Sequence, residues 1–302
     1  MLTIPKSSFI YTFSKDNKPA AYVRDGDTVR LETMDNLSDK VTGEGMRLLD
    51  IDIDPEKVNP ATGPIYIEGL MPGDVLEIHI LNIELADHAL VLCQAGMGVI
   101  GKYFRETTVN VMPIKDNRVI FNKELAIPIK PMVGVMGVTP VSEQPTHMLG
   151  CYGGNMDNTM VAPGAVLYLP VEVEGGMFAA GDMHAAMGDG EINCSGLEAG
   201  GAVTVKLKVR KDIAIKNPVL VNSQYFTTIA AGDTLDCAAA TATGDMAMLL
   251  KEMLPIPFDQ ISMLMSAAGN LEICQVINNK KSARFCMPKY LLDAYGISIF
   301  QA

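Results

Sequence analysis

The most regular feature of the chain is a two-residue alternation. Val203, Val205, Leu207 and Val209 alternate with Thr204, Lys206, Lys208 and Arg210, and Leu76, Ile78 and Ile80 alternate with Glu77 and His79. Successive side chains of a strand point to opposite faces, so each run predicts a half-buried strand. His79 then falls on the exposed side. Val166–Leu169 and Val171–Val173 are further strand candidates, and short strands separated by Gly, Pro and Asp are the pattern of a sandwich or barrel. Three Gly-Asp units, at Gly26-Asp27, Gly73-Asp74 and Gly232-Asp233, each sit just before an apolar run. Gly allows positive φ and Asp bonds the backbone two residues on, so all three read as turns leading into strands.

Helical patterning comes late. Gly244-Asp245 is placed to cap a helix from Met246 to Met253, which Pro255 ends. Asp259 is placed to cap a second from Gln260 to about Ala268, stopped by Gly269-Asn270. Leu271–Val276 and Ala283–Met287 return to strand patterning. The expected fold is mainly β with a small α+β element near the C-terminus. Pro128 and Pro131 interrupt the pattern and suggest a soft boundary. On that reading residues 1–125 form an N-terminal β-sandwich part and residues 126–302 a β-rich part carrying the late helices, or the two form one intertwined unit.

Composition narrows the function classes. Of 302 residues, 48% are hydrophobic and 20% charged, enough apolar material for a sizeable core. Lys and Arg number 24 against 35 Asp and Glu, a formal charge of −11 without a local basic patch. A phosphate backbone would be repelled, so no nucleic-acid partner is expected. No apolar run reaches the roughly 18 residues of a membrane helix, and the opening residues lack a signal-peptide core. The expectation is a cytoplasmic protein without membrane contact. The six cysteines form no C-x-x-C pair, which argues against a zinc knuckle or a thioredoxin-like motif.

The densest polar stretch is Gly181-Asp182-Met183-His184-Ala185-Ala186-Met187-Gly188-Asp189-Gly190-Glu191. Asp182 and His184 share one strand face, as do Asp189 and Glu191, and the intervening glycines let the pairs converge. A His with two or three carboxylates suits a divalent metal, and a spare carboxylate suits a general base. The same residues also fit plain Gly-Asp and Asp-Gly turns. In Gly153-Gly154-Asn155-Met156-Asp157-Asn158, paired glycines permit close backbone approach to a ligand, with Asn155 and Asp157 as polar partners; a simple glycine loop fits as well. His147 precedes this loop and is placed to line the same cleft. His88 is a loop residue or a ligand. Asp35, at an inward position after Leu31 and Thr33, must be paired or bound to a metal if buried, unless it ends the strand in a turn with Asn36. Cys151 and Cys194 are the possible thiol nucleophiles.

These blocks, together with Asn59-Pro60-Ala61-Thr62-Gly63-Pro64-Ile65-Tyr66-Ile67-Glu68-Gly69, Pro72-Gly73-Asp74, Pro163-Gly164 and Leu167-Tyr168-Leu169-Pro170-Val171, resemble the acetamidase/formamidase family over roughly residues 20 to 296. The resemblance implies a jelly-roll-like β-sandwich joined to a smaller β-barrel and the α+β element, a homodimer, and hydrolysis of small aliphatic amides to acid and ammonia. Asn270 and Cys274 depart from the Asp and Ser expected of the family, which bears on substrate choice. An amide needs activated water or a nucleophile, oxyanion stabilisation and a protonated leaving nitrogen. The role assignment that follows places a metal on Asp35, Asp182 and His184, with zinc as the leading ion. Glu191 takes the water proton, with Asp189 as the other catalytic carboxylate. Asn155 donates to the substrate carbonyl, Asp157 orients the amide NH2 or Asn155, and His147 lines the substrate cleft. A structural calcium in an all-oxygen site is a further expectation. Two alternatives stay open: an amidase with a cysteine nucleophile, and a β-sandwich that binds a small polar ligand without turnover.

Overall fold

The computed structural model describes residues 1–41, 54 and 56–300. Its main strands, in chain order, begin with β1 (Thr28–Thr33), β2 (Ala61–Ile67), β3 (Val75–Leu85) and β4 (His88–Cys93). Then come β5 (Met132–Gly137), β6 (Gly153–Asn155), β7 (Val166–Pro170) and β8 (Phe178–Ala186). Next are β9 (Leu197–Glu198), β10 (Gly201–Arg210), β11 (Val219–Val221) and β12 (Tyr225–Gly232). Helices α1 (Leu235–Met253) and α2 (Phe258–Ala268) precede β13 (Asn270–Gln275) and β14 (Lys281–Pro288).

One sheet runs β1-β10-β3-β7-β11-β12-β14-β13, and a second runs β4-β9-β8-β5-β6 with β2 also paired to β8. They face each other across one core. Val29, Leu31, Leu76, Ile78, Leu167 and Val203 enter it from the first sheet, and Ile65, Ile67, Val133, Val135 and Phe178 from the second. Each of these aliphatic or aromatic side chains, fully buried, contributes roughly 1.5–3 kcal/mol. The sandwich expectation holds. The smaller barrel does not: among the described residues both sheets are open, with end strands that do not meet. Strands from either side of residue 125 alternate in both sheets, since β1 and β3 flank β10 and β2 pairs with β8. Among the described residues no helix is long and apolar enough to cross a membrane.

The polar face of the β3–β10 pair departs from simple alternation. Glu77 is buried, and His79 is half-buried rather than exposed. Glu77 accepts from His79 Nε2 at 2.6 Å, Lys208 Nζ at 3.3 Å and Arg210 Nη1 at 2.5 Å. Arg210 also donates to the Phe300 carbonyl, and Phe300 packs edge-on against Tyr168. The C-terminal segment therefore covers this end of the sheet. Val171–Val173 forms no strand; Val171 instead exchanges backbone hydrogen bonds with Gly73 and Asp74.

Of the three Gly-Asp turns, Gly232-Asp233 ends a strand and opens α1 instead of preceding another strand. Thr234 caps the helix by accepting from the Cys237 N–H at 3.2 Å. Ala238, Ala242, Met246 and Leu250 then recur every four residues on the buried face. Gly244, expected as a cap, is an exposed position in the middle of this helix, and Asp245 accepts from Asn217. An alanine-rich run overrode the glycine signal. Pro257, not Asp259, is the N-cap of α2, with an extended ψ of 150°, and Asp259 falls in the first turn.

The α+β element is fastened to the sandwich by Arg284 on β14, which is 3% exposed. Its Nη2 donates to Asp189 Oδ2 at 2.6 Å, its Nη1 to Asn158 Oδ1 at 2.8 Å and its Nε to Glu272 Oε2 at 2.7 Å. One planar guanidinium thus ties two loops of the second sheet to the edge of the first. Arg284→Met is expected to lower stability by roughly 2 kcal/mol, because the freed carboxylates of Asp189 and Glu272 are partly solvated. Urea unfolding measures it, and a loss under about 0.5 kcal/mol would contradict the tie.

Candidate metal and amide site

Five buried side chains converge where β8, β9 and two loops meet: Asp157, Asp182, His184, Glu191 and Glu198. Asp182 and His184 come from β8, and His184 is paired across the ladder with Glu198 of β9. Asp157 follows β6, and Glu191 ends the loop after β8. Ligand-capable atoms of Asp182, His184 and Glu198 lie within 4.8 Å of one another, as do those of Asp157, His184 and Glu191. His184 belongs to both groups.

The backbone is bent to achieve this. Asp157, Asp182 and Glu191 have φ of +44°, +56° and +43°. Such left-handed positions cost on the order of 1–3 kcal/mol each and cluster at functional sites. Room comes from two glycines. A Cβ on Gly134 would lie 2.6 Å from Asp157 Oδ1 and 2.7 Å from Asp182 Oδ2, and one on Gly196 would lie 2.6 Å from His184 Nδ1.

The carboxylates of Asp157, Asp182 and Glu198 each have one oxygen held and one turned inward. Asn59 Nδ2 donates to Asp182 Oδ2 at 2.8 Å, and Asn278 Nδ2 to Asp157 Oδ2 at 3.3 Å. Ser195 Oγ and the Gly196 N–H donate to Glu198 Oε1 at 3.1 and 3.0 Å. Asp157 Oδ1, Glu191 Oε2, Glu198 Oε2 and His184 Nε2 are buried without a hydrogen-bond partner. His184 Nε2 lies 3.1 Å from Glu198 Oε2 and 3.8 Å from Asp182 Oδ1, close without hydrogen-bond geometry. Ligands around one ion at roughly 2.0–2.2 Å stand about this far apart. Among the ion pairs of the described residues, those of these five side chains are with one another, His184 with Glu198 and Asp182.

The electrostatics follow. Burial raises the Asp157 carboxyl, and the Asp182 charge adds to it. Burial also raises Asp182, with Glu198 adding, and lifts Glu191 well above the ordinary range, with Asp157 adding. His184 is pulled both ways: burial opposes its charge, but Glu198 and Asp182 hold its pKa well above 6.5. Four buried acids around one imidazole need protons or a cation. The donor set, carboxylate oxygen with one imidazole nitrogen, fits a divalent ion such as zinc or manganese. No separate acid cluster is found among the described residues for a structural calcium.

Asp182, Glu191 and Glu198 of the cluster line a cleft of about 580 Å³, together with Asn155 and His147. Asn155 Oδ1 and His147 Nδ1 lack partners, and burial lowers the His147 pKa. Thus Asp182, Glu191, Asn155 and His147 line one cleft, and Asp157 and His184 stand beside Glu191 in the acid cluster. Asp189 does not join them: it is exposed, held by Arg284 and by Thr159 Oγ1 at 2.8 Å. Nor does Asp35 stand in either metal-competent group. It is buried as its position foretold, but its Oδ1 accepts from the Leu37 and Asp39 N–H groups at 2.9 and 2.8 Å and closes the turn after β1. His88 pairs with Asp87. Glu198 takes the place that sequence reasoning gave to Asp35. Its signal was slight, one acid in a short apolar strand between Gly196 and Gly200.

The family model for acetamidases and formamidases matches residues 9–149 and 151–268. The chain belongs to the acetamidase/formamidase family. A predicted acetamidase/formamidase from Thermoanaerobacter tengcongensis superposes with a TM-score of 0.95 at 42% identity, over 99% of each chain. An acetamidase from Bacillus halodurans gives 0.95 at 39% identity, over 98% of this chain and 100% of that one. A formamidase of Methylophilus methylotrophus is 26% identical over 271 residues, 69% of this chain and 66% of that protein. The chain spans just under two thirds of the length of the curated formamidases it matches.

Two predictions follow from this family member's site. Zinc or manganese should raise the Tm of metal-stripped protein, and Gly134→Ala should weaken that binding about 10–100-fold, the usual cost of disturbing groups that orient ligands. Calorimetric metal titration reads it, and an unchanged affinity would contradict the packing argument. Burial raises the Asp35 carboxyl from 3.8 to about 6, although backbone donors oppose it. The folded state therefore binds that proton more tightly, and stability from this group falls as pH rises from about 4 to 6. Asp35→Asn keeps the carbonyl acceptor and should gain ~1–3 kcal/mol at pH 8 and little at pH 4. Urea unfolding at the two pH values checks the sign.

Proposed function

We propose that this protein hydrolyses the C–N bond of small linear amides to a carboxylic acid and ammonia, with water as the attacking group. The observation that carries the reading is the buried acid cluster whose free oxygens face one cleft. Asp182, His184 and Glu198 would hold a divalent ion, with Asp157 and Glu191 against it. When bound, that ion supplies Lewis acidity, lowering the pKa of water and polarising a carbonyl.

The chain's own groups supply the rest. Glu191, raised by burial and by Asp157, is poised to take a proton from water and return it to the leaving nitrogen; a carboxyl shifted toward neutral pH does both steps best. Asn155 presents an unpartnered carbonyl oxygen, which suits an N–H of the amide better than its carbonyl. Asp157 acts on Glu191 through charge, and His147, biased to its neutral form, closes the cleft without adding positive charge. Asp189 fixes the loop that carries Glu191 and does not reach the substrate.

The thiol alternative is opposed by chemistry at both cysteines. Cys194 lines the cleft, but burial raises its pKa; Cys151 is raised by burial and by Glu172 at 3.5 Å. A nucleophilic thiol needs the opposite shift. Glu191→Gln should cut ammonia release from acetamide by about 10²–10⁴-fold with fold and metal content retained. Near-normal turnover would remove Glu191 from its role. Cys194→Ser should keep at least about a tenth of the rate, whereas loss of a true nucleophile would leave almost none. Ligand binding without ammonia release from any amide would favour the non-catalytic reading.

A further inference from the structure

The cleft is much larger than formamide or acetamide requires. At the roughly 30 Å³ that each water occupies in the liquid, about 580 Å³ holds on the order of twenty water-sized groups. Such volumes suit ligands of far more atoms than acetamide. The walls say what kind. Leu37, Val58, Leu92, Met97, Met148 and Ile277 line the same cleft as the acid cluster. Asp182, Glu191 and Glu198 are at most 7% exposed and form its floor, whereas Met97, 48% exposed, stands at its mouth. Two of the apolar residues are methionines, whose unbranched side chains adapt to varied apolar shapes.

The charge of the lining selects further. Three carboxylates line the cleft, and neither Lys nor Arg is among the described residues around it. An amide carrying charged groups, such as zwitterionic glutamine or anionic succinamate, would set them against the apolar wall, with no Lys or Arg among the described residues to pair a carboxylate there.

We infer that the preferred substrate is an uncharged primary amide with an apolar acyl group of several carbons, its amide on the acid floor and its chain along the Leu37–Met148–Ile277 wall. This rests on the amide-hydrolysis reading above and narrows it. A buried methylene contributes about 0.8 kcal/mol, roughly fourfold in kcat/KM.

The experiment measures ammonia release by the metal-loaded protein from formamide, acetamide, butanamide, hexanamide and glutamine. Calorimetric binding of acetamide and hexanamide runs in parallel. kcat/KM should rise roughly threefold or more per added methylene up to hexanamide, with glutamine unhydrolysed. Met97→Asp, at a position exposed enough to be tolerated, should lower the hexanamide-to-acetamide ratio at least tenfold. A maximum at formamide or acetamide, efficient turnover of glutamine, or an unchanged ratio in the variant would overturn the inference and leave the amidase reading standing. No ammonia from any amide, with hexanamide bound more tightly than acetamide, would overturn the amidase reading and support the apolar assignment of the cleft. No ammonia and no preferential binding would overturn both.

Discussion

The structure is organised around an electrostatic debt: four carboxyl groups and one imidazole packed together out of water. Bringing an isolated carboxylate into a low-dielectric interior is costly enough that the group neutralises or finds a cation. Protonation and metal binding are two solutions to the same problem, and both leave the carboxyl groups where the backbone puts them. The sandwich tolerates the arrangement because its core is large. Val29, Leu76, Phe178 and their neighbours fill the space between two sheets, and that continuous apolar contact offsets local strain at Asp157, Asp182 and Glu191.

A rigid surround makes the cluster specific. The oxygens of Asp157, Asp182 and Glu198 that do not face inward are taken by Asn278, Asn59 and the Ser195–Gly196 turn, so each carboxyl group has lost most of its rotational freedom. The supporting groups come from widely separated parts of the chain. Asn59 lies just before β2, Ser195 just before β9, and Asn278 between β13 and β14. The α+β element is therefore part of the site, since Asn278 holds Asp157 while Arg284 holds the neighbouring Asn158 and the loop that ends at Glu191. Preorganised groups of this kind give up little entropy when a ligand or a developing charge arrives.

Local chemistry was legible in the sequence where one segment carried it, and opaque where separate segments met. The alternation through Val203–Val209 identified a strand, and the Asp182/His184 spacing identified two side chains that share a buried face. The block from Gly181 to Glu191 also suggested that Asp189 and Glu191 would converge, and here period-two reasoning failed. Glu191 adopts positive φ and turns inward, while Asp189 is drawn the other way by Arg284, almost a hundred residues distant. Asp35 was correctly read as inward, but its partners were the N–H groups of its own turn. Glu198 carried almost no local signal, because what makes it functional is its register opposite His184. The start of α1 was hidden for a related reason: a Gly-Asp turn looks the same whether a strand or a helix follows it.

The same charge distribution gives the chemistry a direction. On the amide-hydrolysis reading, an uncharged molecule enters a cleft whose described lining carries acids and no Lys or Arg, so entry meets no like-charge barrier. Cleavage turns the acyl half into an anion at neutral pH, since a simple carboxylic acid ionises near pH 4–5 while the buried Glu191 holds its proton to a higher pH. The product then shares the cleft with the apolar wall and the acid floor, where no Lys or Arg among the described residues is placed to hold its carboxylate. A basic residue in the wall would reverse this, holding the acid product and slowing the cycle. The absence of Lys and Arg among the described residues around the cleft is thus as much a part of the design as the acids on its floor: it leaves no side-chain counter-ion for a charged acyl group and none to retain the carboxylate product.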